Sequence, residues 1–174
     1  FRDLPQFLAP GDLLIVNTSA TLAAAVPARR ADGARLELRL STPAPGRDPA
    51  SYWIVELRRG DEPFGAVEVG ESVVLPAAAR ARIVAPYAAP RLWLAHLELP
   101  QPPESYLRDY GQPIRYGYVP RRWPLSAYQN VYAADLGSAE MPSAGRPFTP
   151  ELITRLVGSG VLIAPITLHT GVSS

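Results

Sequence analysis

Across residues 35–99 apolar and polar side chains alternate with a period of two, which restricts this stretch to antiparallel sheet. Leu36, Leu38 and Leu40 point one way, Glu37 and Arg39 the other. The runs 52–57, 72–75, 81–84 and 91–95 continue the pattern, separated by Gly and Pro turns at the spacing of a small barrel or sandwich. Residues 34–99 are therefore predicted to form a β-barrel domain.

The flanks follow a different rule. Pro10-Gly11-Asp12 turns into Leu13-Leu14-Ile15-Val16, a continuous apolar run that suits a strand buried on both faces. It halts at Asn17-Thr18-Ser19, which either turn the chain or present polar atoms at a strand's carboxyl end. After residue 99, Pro100-Gln101-Pro102-Pro103 marks a boundary and favours extended chain. A helix is signalled at Thr149, with threonine as N-cap, Pro150 in the first turn, Glu151 at its positive end, and Leu152, Ile153, Leu156 and Val157 as its apolar face. Val161-Leu162-Ile163-Ala164 with Ile166 and Leu168 predicts a second buried strand, kinked or edge-placed at Pro165. Strand, helix and strand suggest an α/β layer, so the expected architecture is an α/β barrel-like main domain, residues 1–33 and 100–174, interrupted by an inserted antiparallel β-barrel over 34–99. Without a starting methionine, and with Ser174 directly after a predicted strand, the chain reads as a fragment truncated at its carboxyl end.

Composition removes several chemistries. There is no cysteine, which excludes disulfides, thiolate metal sites and a cysteine nucleophile. All basic side chains apart from two histidines are arginines, so Schiff-base lysines and a P-loop lysine are excluded as well. A net charge of +1 gives no global attraction to phosphate, and any nucleic-acid surface must be a local patch. No apolar stretch approaches the roughly 18 to 20 residues of a membrane helix, and Phe1-Arg2-Asp3 is no start to a signal peptide. The default expectation is a cytoplasmic enzyme or binder.

Three segments could carry chemistry. Residues 106–128 interleave Tyr106, Tyr110, Tyr116, Tyr118 and Trp123 with Arg108, Arg115, Arg121 and Arg122, against one acid, Asp109. That mixture suits stacked bases and clamped phosphates, or equally an aromatic loop packed on the barrel with solvated arginines. The loop 138–149 is rich in Gly, Pro and hydroxyl residues and opens into the helix, so its N–H groups either converge on an anionic or carbonyl ligand or cap the helix. His169 ends a predicted strand in phase with Thr167, as a functional group or as a strand cap. His96 lies in the barrel region and reads as structural. Two histidines far apart in sequence, with no carboxylate at ligand spacing, make a metal site unexpected.

Together these segments resemble a known family. Phe1-Arg2-Asp3-Leu4-Pro5 with the strand ending at Asn17, the proline-rich return after Leu99, Tyr128-Gln129-Asn130-Val131-Tyr132-Ala133, Pro142-Ser143-Ala144-Gly145 with Phe148-Thr149, and Ile166-Thr167-Leu168-His169-Thr170-Gly171 are similar to the ordered motifs of the S-adenosylmethionine:tRNA ribosyltransferase-isomerases of queuosine biosynthesis. The resemblance implies an α/β barrel with an antiparallel barrel insertion. It implies transfer of the ribosyl portion of S-adenosylmethionine onto the aminomethyl group of a 7-deazaguanine in tRNA and rearrangement to epoxyqueuosine, with loss of adenine and methionine and no metal. By motif position it implies His169, Thr167 and Tyr128 as catalytic groups. Ser143, Ala144, Gly145, Thr149, Gln129 and Asn17 would serve the donor, and Arg108, Arg115, Tyr116, Arg121 and Arg122 the tRNA.

The chain departs from the family inside its motifs. A leucine-histidine pair is replaced by Arg146-Pro147, and the family's early arginines and proline by the alanine-rich run that includes Ala20 and Ala25. Glu140-Met141 adds bulk and negative charge. Such replacements are compatible with the family reaction, with a noncatalytic S-adenosylmethionine or RNA binder, or with a transferase for a different acceptor.

Overall fold

The computed structural model describes residues 1–88 and 91–172. A 3-10 turn at Leu4–Gln6 leads to strand β1, Leu13–Asn17, and then β2, Ser19–Thr21. The next strands are β3, Ala25–Arg29; β4, Arg35–Pro43; β5, Tyr52–Arg59; β6, Glu62–Pro63; β7, Ser72–Val74; β8, Arg80–Ala88; and β9, Leu92–Glu98. Helix α1 spans Pro103–Tyr110, β10 Asp135–Ser138, α2 Pro150–Gly158 and β11 Leu162–Ile166.

Six strands close a ring in the order β4-β3-β7-β8-β9-β5, with β4 paired to β5 and the short β6 flanking β5. Every pairing in it is antiparallel. Closure removes free strand edges, and the alternation of β4 sends Leu36, Leu38 and Leu40 inward at 6%, 0% and 1% exposure. They pack with Val26, Val55, Leu57, Val73, Ile83 and Leu97. On the outer face of β4, Arg39 and Ser41 are buried as well, because the chain returning after β9 lies over them. The Arg39 guanidinium donates to the Arg115 carbonyl at 2.9 Å, and the Val172 N–H donates to Ser41 Oγ at 2.8 Å. The ring also takes a strand from upstream of residues 33 and 34, since β3 pairs with β4 from Ala25↔Arg39 to Arg29↔Arg35.

Outside the ring, the described residues hold two two-stranded parallel sheets and two α-helices. β1 pairs with β11 from Leu13↔Leu162 to Asn17↔Ile166, and β2 with β10. The expectation that the first and last apolar runs are buried on both faces is not met: Leu13, Ile15, Leu162 and Ile166 are 59%, 55%, 58% and 42% exposed. Each strand has one ladder partner, and such a pair packs one face while the other stays in water. An edge strand also tolerates the missing donor of Pro165.

Helix α2 begins as its sequence predicts, with Thr149 Oγ1 accepting from the Leu152 N–H at 3.2 Å. Its buried stripe is narrower than expected, since Leu156 is fully enclosed while Val157 is 55% exposed. Full burial of one such leucine contributes about 2 to 3 kcal/mol. Helix α1 corrects the expectation of extended chain. Pro102 is extended, but Pro103 occupies the first turn, where its missing N–H costs no helical hydrogen bond, and Tyr106 and Leu107 bury against the core.

Candidate functional site

Parallel pairing of β1 with β11 sets their carboxyl ends side by side and joins segments 151 residues apart. Asn17 brackets Leu168: its Nδ2 donates to the Leu168 carbonyl at 2.8 Å and its Oδ1 accepts the Leu168 N–H at 2.9 Å. Oδ1 also accepts from the Ser19 N–H at 3.1 Å. The Asn17 amide is thus engaged in holding the two strand ends together. Beside it, Thr18 Oγ1 lies 2.8 Å from both Asp135 Oδ2 and Thr167 Oγ1, and Thr167 Oγ1 donates to the same carboxylate oxygen at 3.1 Å. Asp135 starts β10, Thr18 follows β1 and Thr167 follows β11, so three strand ends meet at this polar rim.

His169 stands at the same end. Ser19 Oγ is 2.6 Å from His169 Nδ1 and 2.6 Å from Ser138 Oγ, and Ser138 Oγ accepts the Thr170 N–H at 3.0 Å. Both serines are fully buried while the imidazole is exposed. One arrangement directs every hydroxyl proton of this chain to an acceptor: Ser138 donates to Ser19, and Ser19 donates to Nδ1. The neutral ring then carries its proton on Nε2. The alternative, with Nδ1–H donating to Ser19, makes Nε2 a proton acceptor and leaves the Ser138 proton to find another partner. Gly137 makes room for the ring, since a Cβ there would lie 2.4 Å from His169 Cε1, 2.5 Å from Nδ1 and 2.6 Å from Nε2.

Tyr128, Ser143 and Tyr116 line a separate cavity of about 300 Å³, together with Tyr118, Glu140 and Arg146. The Tyr116 and Tyr118 rings are parallel with centroids 5.7 Å apart, and the Tyr116 hydroxyl donates to the Glu140 carboxylate. Gln129 is engaged with main chain: its Oε1 accepts the Thr21 N–H at 2.8 Å and its Nε2 donates to the Thr21 carbonyl at 2.9 Å. Thr21 Oγ1 donates to the Tyr128 carbonyl at 2.7 Å, which fixes the backbone behind the tyrosine. Ser143–Gly145 forms a 3-10 turn in which the N–H groups of Gly145, Arg146 and Phe148 donate to loop carbonyls. These three are therefore not aimed at a ligand, contrary to a loop whose N–H groups all converge. Asn130 Nδ2 donates to the Pro142 carbonyl at 3.1 Å and packs where a Cβ at Gly145 would lie 2.7 Å away, and the Thr149 hydroxyl caps α2.

The arginine-rich segment is divided between surface and structure. Arg108, on α1, is exposed and 3.7 Å from Asp109, and Arg121 stacks on Trp123 with its Cζ 3.8 Å from the ring centroid. Arg115 Nη1 donates to the Val119 carbonyl at 2.8 Å, and Arg122 donates to Gln112 Oε1. His96 belongs to barrel strand β9, its ring tilted against Tyr52 at 4.9 Å. The sequence offers Thr18 and Ser19 only as a turn or as polar atoms at a strand end and Ser138 only as the first residue of the loop 138–149, and it does not single out Asp135.

Electrostatics adds two local effects. Hydrogen bonds from its own backbone N–H and from the Thr149 hydroxyl hold the Glu151 carboxyl below the usual range. Burial pushes the Tyr132 hydroxyl up. Among the described residues no three His, Cys, Asp or Glu side chains group as a metal site requires, and no helix is long and apolar enough to cross a membrane.

Comparison with known proteins agrees with the motifs. The model of the family described as "Queuosine biosynthesis protein" matches residues 1–174. S-adenosylmethionine:tRNA ribosyltransferase-isomerase from Pelobacter propionicus is 32% identical over 176 residues, covering 98% of this chain and 49% of the relative. The same-named protein of Thermotoga maritima is 31% identical over 174 residues, covering 100% of this chain and 49% of the relative. A crystal structure of S-adenosylmethionine tRNA ribosyltransferase from Thermotoga maritima superposes with a TM-score of 0.40 at 24% identity, covering 98% of this chain and 45% of that one. The chain spans about half the length of the curated relatives it matches. It is a member of the queuosine biosynthesis protein family.

Proposed function

We propose that this chain contributes to an S-adenosylmethionine:tRNA ribosyltransferase-isomerase, which moves the ribosyl group of S-adenosylmethionine onto the aminomethyl group of a 7-deazaguanine in tRNA and closes the epoxide of epoxyqueuosine. The observation that carries the reading is the His169 cluster. An exposed imidazole is held through Nδ1 by the buried Ser19, just after β1, which bonds in turn to the buried Ser138 at the end of β10, near the Asp135 carboxylate and the Thr167 hydroxyl. The reaction needs proton transfers at the entering amine, at the carbon beside sulfur and at the departing adenine. His169 is suited to this need: with Nδ1–H bonded to Ser19, Nε2 takes a proton from the entering amine or the carbon beside sulfur, and the resulting imidazolium gives it to the departing base, which returns the ring to neutral. Asp135 and Thr167 are suited to hold the aminomethyl group as its nitrogen attacks.

The donor is assigned to the cavity of Tyr128 and Ser143, with Ala144 and Gly145 behind it. Tyrosine faces and the Glu140 carboxylate favour a sulfonium, which carries positive charge. Asn17, Gln129 and Thr149 support the site by fixing main chain, as their hydrogen bonds suggest. Arg108, Arg115, Tyr116, Arg121 and Arg122 are assigned to the tRNA face, two of them through loop shape. We further infer that the two parallel pairs belong to an α/β barrel-like main domain, 1–33 and 100–174, flanking the antiparallel barrel, and that the protein works in the cytoplasm where tRNA is modified. The test is incubation of the protein with tRNA bearing the aminomethyl-deazaguanine and S-adenosylmethionine labelled in its ribose. Label should enter the tRNA with release of free adenine, and absence of both would overturn the proposal.

A further inference from the structure

Among the described residues Arg39 is the largest fully buried side chain, at 2% exposure. It sits on the outer face of β4, where Nε donates to Glu37 Oε1 at 2.7 Å and Nη2 to the Arg115 carbonyl at 2.9 Å. Its Cζ lies 5.6 Å from the Tyr116 ring centroid. Nη1 is buried with no hydrogen-bond partner, so the guanidinium is enclosed with its bonding incomplete. An enclosed cation of this kind favours a nearby anion. Arg39 lines a cavity of about 400 Å³ between β4 and residues 112–128, and Arg35, Arg115 and Arg122 line it too. Two carboxylates, Glu37 and Asp61, border the same space, and Glu37 is already paired with Arg39. Trp123, 42% exposed, and Tyr128 form aromatic walls.

Guanidiniums in excess over carboxylates, beside two aromatic faces, match a phosphate joined to a planar ring. We propose that this cavity is a nucleotide site, in which Arg35 and Arg39 of the barrel face the phosphate and Trp123 and Tyr128 the base. It extends the proposed tRNA face onto the barrel and rests on that reading. Because Tyr128 also lines the donor cavity, a nucleotide seated here lies next to the assigned donor site. A nucleoside phosphate can come from an RNA strand or from a free nucleotide, and the test separates them.

The whole chain is titrated with guanosine 5′-monophosphate, guanosine, S-adenosylmethionine and a short single-stranded oligoribonucleotide. Tryptophan fluorescence is the readout, with Trp123→Phe identifying the responding residue. The monophosphate and the RNA should both quench Trp123, and guanosine should bind at least tenfold more weakly. Arg35→Gln, at an exposed position, should weaken RNA binding about fivefold to tenfold and lower the salt slope by about 0.7, the value for a single phosphate on a single strand. Arg39→Met should do the same, with its denaturation curve recorded alongside. RNA binding unchanged in both variants but weakened by Arg121→Gln would overturn the cavity and leave the tRNA reading standing. Arginine-dependent binding of the monophosphate without RNA binding would keep the cavity and remove the tRNA reading, while quenching by neither removes both. Competitive displacement of the monophosphate by S-adenosylmethionine would make this the donor site and overturn the proposal.

Discussion

Gly137→Ala tests the geometry of the His169 cluster, at a backbone conformation (φ 159°) that residues other than glycine rarely adopt and that adds about 1 to 3 kcal/mol of strain to the stability cost. The new Cβ would fall 2.4 Å from His169 Cε1, and an ordinary carbon contact is about 3.5 Å, so the ring must move by about 1 Å. The imidazole is exposed and can swing outward, whereas the backbone of β10 is paired to β2 and cannot easily retreat. A shift of that size stretches the 2.6 Å contact between Nδ1 and Ser19 Oγ past hydrogen-bond range. Loss of one partly exposed hydrogen bond costs about 1 kcal/mol. A misplacement of about 1 Å at a reacting group lowers the rate about 100-fold. The chain has two histidines, so imidazole nitrogen NMR assigns them directly: His169 should change its tautomer distribution and His96 should keep its shifts. Denaturant midpoint and adenine release complete the measurement. An unchanged His169 spectrum with undiminished adenine release would refute the reasoning.

Glu56 is fully buried on β5, 2.9 Å from Arg58 Nη1 and 3.6 Å from Arg91 Nη1; Glu56→Ala leaves buried cationic charge without its carboxylate and should destabilise the barrel by about 3 to 5 kcal/mol in chemical denaturation. Tyr106 is buried with its hydroxyl donating to the Pro76 carbonyl at 2.8 Å, and desolvation, with a smaller contribution from Tyr110, pushes its pKa from 10.0 to about 12. The unfolded chain loses this proton first, so the contribution is complete below pH 10 and is lost as the pH rises toward 12, an effect of about 2 to 3 kcal/mol that should vanish from the pH dependence of Tyr106→Phe. Gln129→Ala removes both bonds to the Thr21 main chain and should cost about 1 to 3 kcal/mol in thermal unfolding, while Gln129→Glu, which keeps an acceptor but loses the donor, should recover part of it.

The barrel was legible because its signal is local. A period of two over Leu36, Leu38 and Leu40 assigns one face to the core whatever the remainder of the chain does, and Thr149-Pro150-Glu151 starts a helix through hydrogen bonds within one turn. The motifs around Tyr128, Ser143 and His169 were legible too, as a family pattern, though not in their contacts: Gln129, Asn17 and Thr149 direct their polar atoms to main chain. Nothing near Ser19 in sequence points to His169. That contact exists because β1 pairs with β11 and β2 with β10, which bring residues 150 apart within 2.6 Å. The fate of Arg39 is of the same kind. Alternation places it outside the barrel, where a charged side chain ordinarily meets water, and only the passage of residues 112–116 over β4 buries it. The sequence by itself determined which residues face the barrel core and where α2 begins, since both follow from spacing along one segment. Tertiary structure decided which polar groups meet, because hydrogen-bond partners are selected by strand pairing between segments whose separation no local pattern encodes.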